Sequence, residues 1–315
     1  MKNIVVIGGG SGIFNVLKGL KNYPVSITSI VTTFDNGGST GILRDEFGTL
    51  PSGDIRRSLV ALSPDTGDST IRDLFNFRFP KDSSLHGHSF GNLFLQALTS
   101  ISGSEVSAIK KATDILNIKN KILPISTDNA QLYAKLENGS IIKGETNIDI
   151  PKHDGSIKIK ELYLEPNAII YTEAYEAIMN ADTIVIGPGD LYTSILPNVL
   201  VLGFSEAIKN TKAKIVYILN IMTKWGETNN FKASDFAKTL ISYIKKDKLD
   251  YIICNNSPIN QALIEKYKEE KAEPILIDKK ELENYAENII EEDIVLQTDI
   301  VRHDATKISR IIMRI

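Results

Sequence analysis

The chain has 315 residues, of which 42% are hydrophobic and 24% are charged, and this composition excludes wholesale disorder. Its 36 basic and 39 acidic side chains give a net charge of −3, which disfavours a protein whose main partner is nucleic acid or an anionic membrane. The single cysteine, Cys254, excludes an intrachain disulfide and a cysteine-based zinc site, and its apolar neighbours in sequence indicate a buried hydrophobe.

Short β-branched runs alternate with helical spacing from the N-terminus onward. Residues 3–7 are predicted to form a buried strand, residues 11–23 a helix and residues 25–34 a second strand. A strand, a glycine loop, a helix and a strand in this order indicate a right-handed parallel crossover. Residues 55–117 are predicted to be mostly helical, with a loop at residues 79–91.

The second half of the chain repeats this alternation. Strands are predicted at residues 183–186, 214–220, 251–254 and 274–277. Helices are predicted at residues 173–181, 195–209, 233–246 and 259–270. The rhythm predicts an α/β fold with a Rossmann-like, doubly wound and mainly parallel sheet that carries helices on both faces.

Residues 130–164 interrupt that rhythm with alternating polar and apolar segments. Asn138-Gly139 and Asp154-Gly155 lie between these segments, and both dipeptides are strong hairpin signals. We interpret the region as a small antiparallel insertion. Because the sequence shows no internal repeat, low-complexity tract or flexible linker, residues 1–315 are expected to form a single composite domain.

The location of the protein is also predicted from apolar run lengths. No apolar run approaches the roughly 20 residues that span a bilayer, and the first run is broken by glycine directly after Ile7. A signal peptide needs a longer apolar stretch than this. We therefore expect a cytoplasmic protein with no membrane insertion.

A glycine-rich loop between the first predicted strand and helix is the first candidate site. It consists of Gly8, Gly9, Gly10, Ser11 and Gly12. Glycines let the backbone approach a phosphate closely, and the start of a helix offers free N–H groups. The loop resembles a dinucleotide-binding fingerprint only in part, because Ile13 stands where the third glycine belongs. A tight turn without a ligand is the alternative interpretation.

A second polar loop follows the second predicted strand. It consists of Asp35, Asn36, Gly37, Gly38, Ser39 and Thr40. An acid followed by small polar residues suits a phosphate or a metal–phosphate group better than a lone ribose. Asp35 and Asp54 could share Mg²⁺ with a bound diphosphate. The alternative role for Asp54 is that of a helix N-cap.

Three arginines near this loop could pair with anionic oxygens. They are Arg44, Arg56 and Arg57. His88 and Asn92 lie in the polar segment HGHSFGN, where loop packing or a substrate contact is favoured over a metal site because no further ligands lie nearby in sequence. The charged segment Arg302-His303-Asp304 is either a surface ion pair or, through Arg302, a contact to a ligand.

Two loops in the second half of the chain complete the set of candidates. The strand at residues 183–186 is followed by a glycine turn and then a predicted helix, with Gly187, Gly189, Tyr192, Thr193 and Ser194 as candidate phosphate contacts. Asn220 and Thr223 follow the next predicted strand. Since ligands bind beyond the carboxyl ends of parallel strands, both loops are expected to face one crevice.

Six segments together resemble the CofD–YvcK family over residues 1 to about 305. They are GGGSG, DNGGSTG, LRDEFGTLPSGDIR, HSFGN, GPGDLYTSILPN and NIMTKWGET. That family includes the 2-phospho-L-lactate transferases and the bacterial gluconeogenesis factors, and residues 44–47, 50–56 and 220–228 are more similar to the second branch. The resemblance implies a CofD-like cytoplasmic fold that binds a nucleotide-sugar such as UDP-N-acetylglucosamine. It also implies a role in cell shape and wall-precursor supply during gluconeogenic growth.

The sequence departs from the family pattern at Asn36, where the family usually has a second aspartate. Losing that carboxylate weakens the case for tight Mg²⁺ binding, so no cofactor is expected to be required and any Mg²⁺ at Asp35 and Asp54 is expected to be weak. Arg57 and Ser52 also depart, standing where asparagine and proline are usual.

Three functions follow, and no catalytic residue is assigned. The first is a regulatory protein that senses a nucleotide-sugar and acts through a protein partner. The second is a phosphotransferase-like enzyme related to the lactate transferases. The third is a nicotinamide-dependent oxidoreductase, which only the loop at residues 8–12 favours. A homo-oligomer is expected.

Overall fold

A computed structural model describes residues 1–65 and 69–315 of the chain. Twelve strands lie in these residues, in chain order β1 (Lys2–Gly8), β2 (Val25–Val31), β3 (Lys121–Pro124), β4 (Gln131–Leu136), β5 (Ile141–Lys143), β6 (Ile159–Glu165), β7 (Thr183–Ile186), β8 (Lys214–Ile218), β9 (Leu249–Asn255), β10 (Ala286–Glu292), β11 (Val295–Gln297) and β12 (Val301–His303).

The helices of the described residues lie between and after these strands. They are α1 (Gly10–Leu20), α2 (Gly38–Phe47), α3 (Gly53–Leu62), α4 (Thr70–Asn76), α5 (Phe90–Ser102), α6 (Glu105–Ile115), α7 (Glu145–Asp149), α8 (Thr172–Met179), α9 (Leu196–Val199), α10 (Phe204–Asn210), α11 (Ala233–Ile244), α12 (Gln261–Glu269), α13 (Lys279–Leu282) and α14 (Ala305–Arg314). A π-helical turn, Leu191–Ile195, precedes α9. No helix among the described residues is both long and apolar enough to cross a membrane.

Seven parallel strands form the main sheet in the order β10-β9-β8-β7-β1-β2-β3. From β1 the chain builds outward to β2 and β3, and it then returns to the other side of β1 through β7. A crevice for ligands opens where the winding reverses in this way, beyond the carboxyl ends of the strands. The predicted Rossmann-like, mainly parallel fold is confirmed.

Alternating residues of the buried strands feed two cores, one on each face of the main sheet. In β1, Ile4 and Val6 pack into the core that includes α1, α3 and α14. Val5 and Ile7 point to the opposite face, where the core includes α9, α10 and α11. Cys254 of β9 is fully buried in this second core, as expected.

The insertion is a three-stranded antiparallel sheet in the order β5-β4-β6, within the residues where the sequence places it. Asn138-Gly139 forms the β4–β5 hairpin, since the Gly139 N–H bonds to the carbonyl of Leu136. The second hairpin prediction is wrong, because β5 and β6 flank β4 instead of pairing with each other. Asp154 closes a local turn by accepting the N–H of Ser156 at 2.9 Å.

Three predicted elements differ from the observed ones. Residues 274–277 lie outside the main sheet, because the Ile275 N–H bonds to the carbonyl of Ile221 in the loop after β8, and β10 takes the expected place beside β9. The helix predicted at residues 195–209 is two helices, since Gly203 between them adopts the left-handed φ of 94°. The strand predicted at residues 25–34 ends at Val31. In the region 55–117, which is predicted to be mostly helical, the described residues hold α3 to α6, and a loop separates α4 from α5 near the predicted position. Residues 66–68 lie outside the described residues.

Candidate functional site

A cleft of about 640 Å³ opens beyond the carboxyl ends of β1, β7 and β8. Its size lies in the range of pockets that hold small ligands. Nine residues predicted from sequence line it, namely Gly9, Gly10, Ser11, Gly12, Gly189, Ser194, Asn220, Thr223 and Arg302. The fold thus brings together three loops and the C-terminal charged segment, which are far apart in sequence.

The floor of the cleft forms where the start of α1 meets the turn after β7. Gly10 adopts a left-handed φ of 69°, which lets the chain enter α1 directly from β1. A Cβ on Gly12 would overlap the carbonyl group of Pro188, so only glycine permits this approach of the two loops. Gly8 and Gly187 lie just behind the lining, where the Gly187 N–H bonds to the carbonyl of Ile7 at 2.9 Å.

Asp54 places a buried carboxylate at the N-terminus of α1. Its Oδ1 accepts the Gly10 N–H at 2.9 Å and lies 2.8 Å from the Arg57 guanidinium. The cap predicted for its own helix is wrong, because Ser52 holds the N-cap position of α3 and Asp54 serves the first N–H of α1 instead. The acid therefore satisfies the first N–H group of α1 and forms an ion pair with Arg57.

A pair of hydrogen-bonded carboxyls, Asp35 and Glu145, lies beside Asp54. Burial, together with the charges of Asp35 and Asp149, raises the pKa of Glu145 to about 9, and burial also raises the pKa of Asp35. The two groups therefore share a proton at neutral pH. Sequence reasoning missed Glu145, because it lies on α7 of the insertion and no spacing rule joins it to Asp35.

Asn36 connects the loop after β2 to the insertion. Its Oδ1 accepts two hydrogen bonds from Thr146, from the backbone N–H at 2.9 Å and from Oγ1 at 3.1 Å. The side chain therefore holds α7 beside the loop. The sequence pattern at this position indicates only a missing carboxylate.

The remainder of the DNGGST loop leads into α2, outside the lining of the cleft. Gly37, Gly38 and Thr40 lie at the start of this helix. Ser39 joins two other predicted residues, since its Oγ lies 3.0 Å from His88 Nδ1 and accepts from Asn92 Nδ2 at 3.2 Å. His88 and Asn92 are therefore part of a separate polar group.

Two of the predicted anion-pairing arginines are buried away from the cleft. Arg44 Nη2 donates to Asn129 Oδ1 and to the carbonyl of Ala130, both at 2.5 Å, and so holds the entry to the insertion. Arg56 Nη1 donates to the carbonyl of Phe75 at 3.2 Å. Burial lowers the pKa of both guanidinium groups. Their observed contacts tie the fold together.

Tyr192 and Thr193 support the cleft from behind. The Tyr192 N–H and the Thr193 hydroxyl each donate to the buried carboxylate of Glu227 at 3.1 Å. Burial raises the pKa of Glu227 to about 7, although the nearby Lys224 opposes the shift. The carboxylate thus fixes the π-helical turn that carries Ser194 into the lining.

Lys224 lies among three carboxylates at one wall of the cleft. Its Nζ contacts Asp149, lies 2.8 Å from Asp190 Oδ2 and lies 3.3 Å from Glu227 Oε1. The pKa of Lys224 is raised above its usual value, because the three carboxylates stabilise the charged ammonium by more than burial destabilises it. Sequence reasoning did not assign these residues, although Asp190 and Lys224 stand in loops that it singled out.

The contacts of Asp35 and Asp54 show how many carboxylate oxygens these two predicted ligands could offer to Mg²⁺. Asp35 Oδ1 accepts the Gly37 N–H at 2.7 Å, and Asp54 Oδ1 is engaged by Gly10 and Arg57. Asp35 is also hydrogen-bonded to Glu145, whereas Asp54 keeps one oxygen outside these bonds, so the two acids offer an ion few protein ligands. Among the described residues, the group of three acids close enough to hold one ion is Asp149, Asp190 and Glu227.

Solved structures share this architecture. A structure of a UPF0052 family member from Bacillus halodurans superposes with a TM-score of 0.93 at 42% identity, covering 99% of this chain and 98% of that one. A second structure of a Bacillus halodurans protein also gives a TM-score of 0.93, at 43% identity and with 99% of each chain covered. The α/β fold with its antiparallel insertion is therefore that of an existing structural family.

Two curated relatives are similar over nearly their whole length. The gluconeogenesis factor of Halalkalibacterium halodurans is 44% identical over 99% of this chain and 96% of that protein. The gluconeogenesis factor of Bacillus subtilis is 40% identical over 98% of this chain and 96% of that protein. The family model described as 2-phospho-L-lactate transferase CofD matches residues 4–295. The chain therefore belongs to the CofD family, together with the bacterial proteins named gluconeogenesis factor.

Proposed function

We propose that this protein is a gluconeogenesis factor that binds a nucleotide-sugar, such as UDP-N-acetylglucosamine, in the cleft. In this proposal it acts as a regulatory protein through a protein partner, and it supports cell shape and wall-precursor supply when cells grow on gluconeogenic carbon sources. The observation that carries the proposal is the meeting of two glycine turns at the switch point of the sheet. The names of the relatives support the physiological part.

The lining of the cleft suits the three parts of such a ligand. The first turn of α1 and the Arg302 guanidinium suit a diphosphate. Asp149, Asp190 and Glu270 offer carboxylate oxygens to the hydroxyl groups of a sugar. Apolar and aromatic side chains suit a base, and these are Ile150, Met222, Trp225 and Tyr267.

A transferase reaction is the second candidate function. The family model and the acid cluster of Asp35, Asp54 and Glu145 favour it, because phosphoryl-type transfer uses a cation to neutralise developing charge. Asn36 weighs against it, since its oxygen already accepts two hydrogen bonds from Thr146. The nicotinamide-dependent oxidoreductase is the weakest candidate, because Ile13 replaces the third fingerprint glycine.

A thermal-shift panel tests which ligand class the cleft accepts. It compares UDP-N-acetylglucosamine, UDP-glucose, NAD, NADP, GDP and GTP, each with and without Mg²⁺. A ligand that binds only the folded state raises the Tm. The proposal predicts the largest shifts with UDP-sugars. Larger shifts with NAD or with GDP would favour the oxidoreductase or the transferase.

Arg302→Ala tests the assigned site directly. Arg302 lines the cleft and is exposed, so we expect the variant to fold normally. Loss of one charged hydrogen bond, about 1.5–3 kcal/mol, is expected to weaken UDP-sugar binding roughly 10- to 100-fold in calorimetry. Arg310→Ala on α14 removes an exposed arginine outside the cleft and is the matched control. Equal affinity of both variants would contradict the site.

Deletion of the gene tests the physiological role. We expect the deletion strain to lose normal growth and shape on a gluconeogenic carbon source but not on glucose. Complementation with the parent or with Arg310→Ala should restore both, and Arg302→Ala should not. Normal growth and shape of the deletion strain on the gluconeogenic source would refute the physiological role. Full rescue by a variant that fails to bind UDP-sugars would refute nucleotide-sugar sensing but leave the physiological role intact.

A further inference from the structure

The insertion reaches the cleft through one short segment, residues 149–155. Pro151 packs against Gly226, where a Cβ would overlap the proline ring, and Gly155 packs equally closely against the indole of Trp225. The carbonyl of Gly155 also accepts a hydrogen bond from Asn229 Nδ2. The insertion therefore docks on the loop after β8, and its residues Asp149, Ile150 and Pro151 become one wall of the cleft.

The charged contact in this dock is centred on the ammonium of Lys224. It bridges three parts of the chain, since Asp149 ends α7, Asp190 follows β7 and Glu227 follows β8. The side chain of Glu227 is fully buried, whereas Lys224 is 27% exposed and lines the cleft. One side chain thus joins the insertion to the main sheet beside the proposed ligand.

The stoichiometry of this contact matches a single cation. The Lys224 ammonium donates hydrogen bonds to Asp149 and Asp190, and an oxygen of the third carboxylate, Glu227, lies 3.3 Å from it as an ion pair. The ligand oxygens of Asp149, Asp190 and Glu227 all lie within 4.8 Å of one another, which is the span of oxygens around one bound ion. A metal ion and the ammonium therefore cannot occupy the centre together.

We propose that Lys224 is a tethered cation that takes the place of a divalent metal ion among Asp149, Asp190 and Glu227. It thereby fixes the insertion as a wall of the cleft without any bound metal. The assignment of Lys224 as a positioning residue for the ligand rests on the proposed function, whereas its place in the carboxylate cage does not. Two consequences can be measured without a nucleotide.

The first consequence is that removing the ammonium opens a metal site. Lys224→Ala is expected to bind Mn²⁺ at least tenfold more tightly than the parent in calorimetry and electron paramagnetic resonance. The gain should disappear in the double variant Lys224→Ala with Asp149→Asn. Lys152→Ala removes an exposed lysine of the same insertion and should bind Mn²⁺ as the parent does. No gain, or a gain that survives Asp149→Asn, would overturn the cage.

The second consequence is a change in the dock itself. Trp225 is the only tryptophan of the chain and lies at the dock, so its emission reports on the insertion. Lys224→Gln keeps a side chain of similar length without the charge, and is expected to shift the emission to longer wavelength in metal-free buffer. Lys152→Gln should leave it unchanged. Identical emission of Lys224→Gln and the parent would overturn the fixing role.

The link to the ligand is tested separately from the cage. UDP-N-acetylglucosamine is expected to bind Lys224→Gln at least fivefold more weakly than the parent in metal-free buffer, and added Mn²⁺ should restore part of the loss. Unchanged affinity would refute the positioning role of Lys224. If the parent binds no UDP-sugar, the proposed function fails, while the Mn²⁺ and Trp225 measurements still decide the cage.

Discussion

The amide of Asn36 illustrates how one side chain can hold a fold and limit chemistry together. Its oxygen holds α7 through two hydrogen bonds from Thr146, and it lies next to the hydrogen-bonded carboxyls of Asp35 and Glu145. An acid at this position could accept the same bonds. It would also add a negative charge to carboxyls whose pKa values are already raised.

The first prediction concerns Asn36→Asp. The variant should fold, since both hydrogen bonds from Thr146 survive, but repulsion should lower its free energy of unfolding at pH 8 by about 1 kcal/mol. Mg²⁺ should restore more stability to the variant than to the parent. Urea denaturation with and without Mg²⁺ measures both effects. Asn138→Asp is the control, because Asn138 Oδ1 also accepts a backbone N–H, from Ser140, but in an exposed hairpin.

The second prediction concerns the imidazole of His303, which is half-buried at the lining of the cleft. Its Nε2 donates to the carbonyl of Leu219 at 3.0 Å, and burial lowers its pKa to about 4. The unfolded state has a pKa near 6.5, so below that pH it binds a proton that the folded state excludes. Stability from the neutral ring is therefore present above about pH 6.5 and is lost as the pH falls towards 4.

His303→Gln should remove this pH dependence while keeping a donor to Leu219. Relative to the variant, the parent should lose up to about 3 kcal/mol of unfolding free energy between pH 6.5 and 4. Denaturant titrations at several pH values measure the difference, and His86→Gln, at an exposed position, is the control. Parallel pH profiles for His303→Gln and the parent would mean that the imidazole titrates normally.

At the scale of elements, α1 both opens the cleft and carries the packing of the C-terminal helix. A Cβ on Gly19 would overlap the hydroxyl of Ser309 and the carbonyl of Ala305, so α14 lies directly on this glycine. The third prediction is that Gly19→Ala destabilises the protein. The higher helix propensity of alanine would raise the free energy of unfolding by up to about 1 kcal/mol, whereas overpacking lowers it by about 1–3 kcal/mol. The variant should therefore have the lower free energy of unfolding.

Thermal and urea denaturation of Gly19→Ala measure that balance. Lys18→Ala changes the neighbouring, exposed position of the same helix and should alter the free energy of unfolding by no more than about 0.5 kcal/mol. A stabilised Gly19→Ala variant would show that α14 moves away at little cost. Arg302 lies in β12, directly before α14. The same variant should therefore also lower the affinity for any ligand that contacts Arg302.

Sequence patterns predict the buried elements better than the edge and the insertion. The run at residues 3–7 and the glycine loop after it are found as predicted, because their signals are local. The AENIIEE segment of β10 has a polar, half-exposed pattern that does not indicate a strand, so the sequence favours residues 274–277 instead. The contact between Asn36 and Thr146 joins residues 110 apart in sequence, and no periodicity reveals it.

At the scale of the whole molecule, the winding of the sheet explains which candidate residues come together. Loops after β1, β7 and β8 share the crevice because these three strands are neighbours at the reversal of strand order. The DNGGST loop follows β2, one strand further out, so Asp35 lies beside the cleft and Ser39 faces another group. Parallel topology was predictable from the alternation of elements, whereas the strand order that separates these loops was not.

The distribution of charge around the cleft leads to the last prediction, which is weak dependence of nucleotide binding on divalent metal. Asp54 is already neutralised by Arg57 and the Gly10 N–H, Asp35 shares a proton with Glu145, and Lys224 fills the remaining group of three acids. An added ion therefore has little uncompensated charge to balance. Removing Mg²⁺ should change the free energy of UDP-sugar binding by about 1 kcal/mol or less, below the strength of one charged hydrogen bond.

Calorimetric titrations of the parent with UDP-N-acetylglucosamine, in Mg²⁺ and in EDTA, measure this difference. The matched comparison is Lys224→Gln, in which the cage has lost its internal cation and EDTA should weaken binding more than it does in the parent. Abolition of binding to the parent by EDTA would contradict the prediction, and it would mean that Asp35 and Asp54 hold a metal that the ligand requires. Equal, small effects of EDTA on both proteins would still confirm the weak metal dependence, but Lys224 would not be its cause. The negative charge near the ligand would then be balanced by Arg57 and by the proton shared between Asp35 and Glu145 alone.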